Sequence, residues 1–320
     1  MSGNIKVLLI GAGYMSREYI KILTDMNIPF TVIGKSEKNV QETRSIYTGI
    51  HIISGGIENF KEYADYTHAI VAVNVAQLYP VTLCLINNGI KNILCEKPIV
   101  LYQNNLDTLA DACIKKQVNL YAAYNRRFYS SVSELKKQVE KDGGILSCHF
   151  EFTEWIHRIN PSEFTTEELN RWIISNSSHV IDLAFHLIGK PELLNSHVAG
   201  QNKIEWHPNG TVFIGSGVSE YNIPFTYHSN WNSAGRWSIE VLTSGNKYFL
   251  RPLEGLQKQK KGQLTIEDIS IENELDVKYK PGNYKMVDAF LNDKPKNTLC
   301  EMNEFTQLFS SLLKIGDYQK

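Results

Sequence analysis

Two short constellations in this chain carry residue types that do acid–base and electrostatic chemistry. The first is Glu96-Lys97-Pro98, which follows the apolar run Ile93 to Cys95. Such a run reads as a buried strand, and Pro98 stops anything regular there. The pair then sits at the carboxyl end of a strand, where open α/β sheets place their ligands. An ammonium there can stand beside a reacting oxygen. Taken alone, such a lysine is more often a solvated loop charge. The second constellation is Asp182-x-x-x-His186, with His179 three residues earlier. On a helix these residues share one face. A neutral imidazole titrates in the range needed to take a hydroxyl proton. Asp182 could orient His186 or raise its basicity, and Lys97 could stabilise a developing alkoxide. The bland alternative is a capping or helix-surface pair. A metal site is a further alternative, but no other spaced ligands accompany these residues, and Lys97 is an awkward neighbour for a cation. His179 reads as a pocket-lining residue.

These groups gain meaning from what precedes them. The apolar run Ile5 to Ile10 leads straight into Gly11-Ala12-Gly13-Tyr14-Met15-Ser16, and a helical pattern follows from Arg17 to Met26. Strand, glycine turn and helix is the context that a dinucleotide-binding turn requires. Gly11 permits the tight turn, and Gly13 lets the backbone approach a pyrophosphate favoured by the helix N-terminus. Ser16 stands where Gly or Ala is usual, and is expected to loosen the packing of helix on strand. The next strand, Phe30 to Ile33, ends in Gly34-Lys35-Ser36 with no carboxylate to bind a ribose diol. A cation and a hydroxyl suit a 2′-phosphate better, so NADP is expected over NAD. The expected cofactor surface comprises Gly11, Gly13, Tyr14, Met15, Gly34, Lys35, Ser36, Val73, Asn74, Glu96 and Lys97.

The elements that must position these residues follow from the same patterns. Apolar runs at 5–10, 30–33, 68–73, 92–95 and 118–123 alternate with helical segments, which implies a doubly wound parallel sheet. After residue 123 come a helix (131–141), a strand (145–153), a second helix (177–187) and several strand-like runs from 196 to 251 separated by glycine-bearing turns. The fold class is α/β: a Rossmann domain, 1–123, then an α+β domain, 124–320, with a large, mainly antiparallel open sheet and C-terminal helices.

Composition narrows the function classes. Lys and Arg number 33 against 34 Asp and Glu, a balance that gives no support for nucleic-acid or anionic-membrane binding. The basic stretch Lys258-Gln259-Lys260-Lys261 reads as a polar loop between strands. Cysteines 84, 95, 113, 148 and 300 are odd in number without C-x-x-C spacing, which argues for reduced thiols and a cytoplasmic location. The start of the chain lacks the pattern of a cleaved signal. The longest apolar region, Ala69 to Ile86, is broken by Asn74, Gln77 and Pro80, so no membrane span is expected.

The motifs in this order resemble the glucose–fructose oxidoreductase/inositol dehydrogenase family, Gfo/Idh/MocA. The matching residues are Gly11-Ala12-Gly13, Glu96-Lys97-Pro98, Tyr124-Asn125-Arg126-Arg127-Phe128, the Asp182/His186 pair and the stretch Asp288-Ala289-Phe290. Asn176-Ser177-Ser178-His179 stands where the family often has a glycine cluster, and Tyr79 where it often has a histidine. The resemblance implies catalysis by Lys97, Asp182 and His186, and an oxidoreductase acting on a secondary hydroxyl or ketone of a sugar, cyclitol or nucleotide-linked sugar. A reductase of a non-sugar carbonyl or imine, or a dinucleotide sensor without turnover, is the alternative.

All five tryptophans and seven of nine histidines fall after residue 145. Aromatic faces stack on the C–H faces of sugars, and polar edges read hydroxyls. The expected substrate surface is Lys97, Asn125, Arg126, Trp155, Trp172, Asn176, His179, Asp182 and His186. For each aromatic residue, a place in the core or a subunit interface is an equal alternative. Of Arg126 and Arg127, one could reach a ligand while the other pairs on the surface. Coverage of an open sheet by a second copy makes a homo-dimer or homo-tetramer the expected assembly.

Overall fold

The computed structural model describes residues 5–292 and 298–319. Its contacts divide the chain into two compact units, Met1–Ala123 with Asn283–Phe305, and Tyr124–Gly282 with Thr306–Lys320. The described residues of 283–305, expected with the second domain, therefore fall in the first unit.

The first unit runs β1 (Val7–Ile10), α1 (Tyr14–Asp25), β2 (Phe30–Gly34), α2 (Glu37–Ile46), β3 (His51–Ser54), β4 (His68–Val71), α3 (Val75–Asn87), β5 (Asn92–Cys95), α4 (Gln103–Lys116) and β6 (Asn119–Ala122). The strands lie in the order β3-β2-β1-β4-β5-β6, all parallel. Cys300–Glu301 adds a short antiparallel strand beside β6. Every residue of β1 is buried, as both faces of a parallel sheet require. The strand order reverses at β1, and that switch point is where such sheets open a crevice for ligands. Helix α1 starts at Tyr14 rather than Arg17, because the glycine turn feeds directly into it. Two elements were illegible in the sequence. Helix α2 is mostly polar and buries only Val40 and Thr43, and β3 fully buries only Ile52.

The second unit has α5 (Ser130–Lys141), β7 (Ser147–Glu151), α6 (Thr166–Asn170), a π-helical turn (Ile173–Ser177), α7 (Ser178–Ile188), β8 (Pro191–Ala199), β9 (Val212–Ser219), β10 (Pro224–Asn230), β11 (Ser238–Leu242), β12 (Asn246–Leu250), β13 (Gln257–Lys260) and β14 (Ile266–Asp268). Its sheet order is β14-β13-β12-β11-β7-β10-β9-β8, antiparallel except where β7 meets β10. The alternation along β10 buries Phe225, Tyr227 and Ser229 and leaves Thr226 and His228 exposed. Phe150 on the buried face meets Phe185 of α7 with ring centroids 5.7 Å apart. Each such fully buried aromatic contributes on the order of 1.5–3 kcal/mol.

One expectation is corrected here. Lys258 and Lys260 do not lie in a loop but on β13, where both approach Glu267 of β14, at 3.9 and 3.8 Å. Charged side chains at the end of a sheet discourage further strand pairing. Of the tryptophans, for which display and core were equal alternatives, Trp172, Trp231 and Trp237 are buried. Among the described residues no helix is long and apolar enough to cross a membrane.

Candidate functional site

The glycine turn has the shape that its residues dictate. Gly11 has φ +122°, and a Cβ there would lie 2.2 Å from the Ala72 carbonyl oxygen and 2.5 Å from Ser16 Oγ. Only glycine fits. A Cβ on Gly13, by contrast, would meet nothing within 4 Å, so the space above it is open. Gly13 caps α1 without any side-chain hydrogen bond. The helix dipole favours an anion at this end. Ser16 is fully buried, and its hydroxyl donates to the Ala72 carbonyl at 3.0 Å. It ties α1 to the end of β4 rather than loosening the packing. Thr43 Oγ1 braces the same turn from α2, donating to the Ala12 carbonyl at 3.0 Å.

Above this turn lies a cleft of about 530 Å³. Gly11, Gly13, Tyr14, Met15, Lys35, Ser36, Val73 and Asn74 line it, while Gly34, Glu96 and Lys97 do not. Gly34 has a packing reason to be glycine: a Cβ there would meet Val40 Cγ2 at 2.3 Å. The missing carboxylate at that point is therefore a weaker cofactor signal than the sequence suggested. Glu58 lines the cleft from the turn after β3, and Lys35 Nζ donates to its Oε1 at 2.7 Å. The hydrogen bond from Lys35 holds the Glu58 carboxyl below its ordinary pKa. Glu58 escaped sequence reasoning because β3 did. Its only signal was Gly55-Gly56 just before it. Ser36 does not face the cleft alone, since its hydroxyl also accepts from the Asn39 N–H as the cap of α2. These features, a turn that admits no Cβ at Gly11, open space above Gly13 and the positive end of a helix dipole, fit a dinucleotide.

Lys97 follows β5 and is half-buried. Its neighbour Glu96 accepts from the buried Tyr19 hydroxyl at 2.7 Å. Burial first, and the Glu96 charge second, raise the Tyr19 pKa well above its ordinary value, so it stays a donor.

In the second unit, Asp182 and His186 do occupy one face of α7, with surroundings the sequence did not show. Asp182 is fully buried and accepts two hydrogen bonds from Arg127, Nε at 2.8 Å and Nη2 at 2.5 Å. Arg127 is therefore no surface residue: it is 3 % exposed. His186 Nε2 lies 2.7 Å from Lys136 Nζ. Burial, then Arg127 and Lys136, push the His186 pKa well below its ordinary value.

A second polar cluster surrounds Glu154, a residue the sequence did not single out. Its Oε1 accepts from Ser177 Oγ at 2.6 Å, Asn176 Nδ2 at 3.0 Å and Trp237 Nε1 at 3.3 Å. Burial raises its pKa, and those donors oppose the rise. The π-helical turn supplies Asn176 and Ser177 to this carboxylate, and such turns recur at functional sites. His179 follows on α7, with its ring 5.9 Å from Tyr124 and 6.1 Å from Trp237. Arg126 lies 4.9 Å from the Trp237 ring centre. Trp155 is partly exposed, and its Nε1 donates to the Gly235 carbonyl at 2.7 Å. Two expected substrate contacts are differently employed. Trp172 is buried between Phe164 and Trp206, with ring centroids 4.9 and 5.5 Å away. Asn125 is buried, and its Nδ2 donates to the Pro281 carbonyl at 2.9 Å.

Comparison with known proteins bears on this cradle. Residues 5–124 match the model of the Gfo/Idh/MocA oxidoreductase family, described by its NAD-binding Rossmann fold. The N-terminal domain belongs to the Gfo/Idh/MocA family. Beyond it the likeness is one of fold. A dehydrogenase from Clostridium difficile is 19 % identical with a TM-score of 0.76, covering 98 % of this chain and 99 % of that one. A UDP-N-acetylglucosamine 3-dehydrogenase from Acidithiobacillus ferrooxidans is 12 % identical with a TM-score of 0.73, covering 97 % and 96 %. A 2,7-anhydro-N-acetylneuraminate hydratase from Escherichia coli is 24 % identical over 165 residues, 49 % of this chain and 44 % of that protein. The curated relatives matched are spanned over less than half their length.

Proposed function

We propose that this protein is, over its whole length, an NAD(P)-dependent oxidoreductase of the Gfo/Idh/MocA type acting on a secondary hydroxyl or ketone of a sugar, cyclitol or nucleotide-linked sugar. The observation that carries the reading is the glycine cradle, where Gly11 admits no Cβ and the space above Gly13 is open at the start of α1. The nicotinamide cofactor, when bound, supplies or accepts the hydride. Gly11, Gly13 and the start of α1 would hold its pyrophosphate. Lys97 places a cation where charge develops on the substrate oxygen.

The proton is assigned to α7. Asp182 is committed to Arg127, and His186 to Lys136, with two cations nearby that oppose a charged imidazole. We therefore assign proton transfer to His179, which neighbours Trp237 in the cluster of polar and aromatic groups around Glu154. His186 lies seven residues further along the helix, roughly 10 Å away along its axis. Support for a carbohydrate substrate comes from the relatives named for sugar derivatives. A screen of sugars, cyclitols and nucleotide sugars with both cofactors, with products identified, tests the reading. Product identification matters because one relative is named a hydratase, and addition of water is redox-neutral, so net cofactor absorbance would not report such a reaction. Turnover confined to non-carbohydrate carbonyls would overturn it.

For the cofactor, NADP(H) is the proposed preference, carried by Lys35 at the cleft edge. Binding of a 2′-phosphate would exchange one anionic partner of Lys35, Glu58, for another. Lys35→Ala should weaken NADPH by about 10–100-fold, the worth of one charge-assisted hydrogen bond, with NADH little changed. Glu58→Gln should tighten NADPH by several-fold. Gly34→Asp is a poor test, since its side chain would strike Val40. Titrations showing equal or tighter NADH binding by the unaltered protein would refute the preference.

A homo-oligomer, dimer or tetramer, is proposed as the working form. The support is the outer face of the second sheet, where Ile214, Thr226 and His228 are exposed, and not the buried tryptophans. Light scattering at micromolar protein should give a multiple of the 36.5 kDa chain, and a monomer mass would end this reading.

A further inference from the structure

Three arginines and two tryptophans of the second unit form one stacked ladder. The Arg126 guanidinium carbon lies 4.9 Å from the centre of Trp237. Arg236 lies 4.9 Å from Trp237 and 4.8 Å from Trp155. Arg158 lies 4.7 Å from Trp155. The run is thus Arg126, Trp237, Arg236, Trp155, Arg158. Each indole face attracts a cation and holds a planar guanidinium in one orientation with its N–H groups outward.

The charges of this ladder do not balance. Glu154 is the carboxylate in ion-pair contact, and it reaches Arg236 at 3.4 Å. That carboxylate is already engaged by Ser177, Asn176 and Trp237. Among the described residues no ion pair is formed by Arg126 or Arg158. Arg126 is half-buried, so its charge is partly removed from water. Burial lowers its pKa, and Arg236 repels it; Tyr129, Glu254 and Glu154 act in the opposite sense. Holding three like charges on shared ring faces is costly unless something offsets it, and an anion with paired oxygens would do so.

We propose that this ladder is the subsite for an anionic group, a carboxylate or a phosphate ester, carried by the carbohydrate substrate. The substrate part of this proposal rests on the oxidoreductase reading above. Trp237 also touches His179, so the subsite adjoins the histidine assigned to the proton. The two indoles hold the guanidinium groups in place from below, Trp237 buried and Trp155 partly exposed, and Arg126 fixes the charge of the substrate.

The test uses the whole protein and needs no turnover. Tryptophan fluorescence is followed during titration with galacturonate, glucose 6-phosphate, galactose and glucose, with potassium chloride as the ionic-strength control. An anionic probe should give a saturable change at least about tenfold tighter than its neutral congener, the worth of one charged hydrogen bond. A response to the uronate alone names a carboxylate, and a response to the sugar phosphate alone names a phosphate. Arg126→Met should weaken that binding by about 10–100-fold, and Arg126→Lys should restore part of it. Arg158→Gln, at an exposed position where folding is not at stake, should weaken it several-fold. Absence of saturable binding by either anion, neutral probes binding as tightly, or unchanged binding in both Arg126→Met and Arg158→Gln would overturn the proposal. Anion binding without turnover of any compound would leave the subsite standing and remove the oxidoreductase reading. Turnover of neutral sugars at full rate by Arg126→Met would do the reverse.

Discussion

Lys97→Met should lower turnover by about 10²–10³-fold, the usual loss when one preorganised donor to a developing oxyanion is removed. Cofactor affinity should change far less, because Lys97 does not line the cleft above the glycine turn. The backbone around it is well fixed. Leu94 and Cys95 are fully buried, Glu96 is held by Tyr19, and the Glu96 N–H donates to the Val71 carbonyl at 2.9 Å. A methionine keeps the length and loses the charge, so thermal unfolding should match that of the unaltered protein. The histidines are tested alongside. His179→Asn should cost about 10²–10⁴-fold in turnover, as loss of a general acid or base does, and His186→Asn less than tenfold. Near-normal turnover by Lys97→Met would remove its role. A large loss in His186→Asn with none in His179→Asn would return the proton to His186.

What was legible in the sequence was whatever repeats or is chemically constrained. The parallel strands read as apolar runs, and Gly11 could be named because its conformation excludes every side chain. The antiparallel second sheet followed from alternation and turn residues. Elements with little buried surface were silent. Helix α2, β3, β13 and β14 bury few residues, and with β3 went Glu58. The candidate site was legible as residue types but not as pairings. Asp182 and His186 are four apart, which suggested each other as partners. Their partners, Arg127 and Lys136, lie 55 and 50 residues away in sequence, and no local pattern announces such contacts. Similarly, Ser177 read as a departure from a glycine cluster, whereas its hydroxyl is one of the donors to Glu154. For the tryptophans the sequence left display and core as equal alternatives, and packing claims most of them and leaves Trp155 partly open.

Asp182→Ala should destabilise the protein by about 3–5 kcal/mol, the cost of leaving one member of a buried ion pair without the other. The side chains of Arg127 and Asp182 are 2 % and 0 % exposed, so water cannot take the carboxylate's place. The pair joins α7 to the turn Asn125–Phe128, which begins with the buried Asn125 and carries Arg126, the first rung of the ladder. It therefore sets the spacing between Arg126 and His179. Replacing both partners, Asp182→Leu with Arg127→Met, removes the stranded charge and should recover most of the lost stability in urea unfolding. The two roles conceivable for Asp182 then separate. A positioning role predicts that the stable double variant keeps a measurable kcat while its KM for substrate rises, since Arg126 and His179 lose their fixed spacing. A direct part in proton transfer predicts that kcat falls in the double variant as far as in Asp182→Ala, whatever the stability. Unfolding of Asp182→Ala within about 1 kcal/mol of the unaltered protein would show that the pair does not hold this turn to α7.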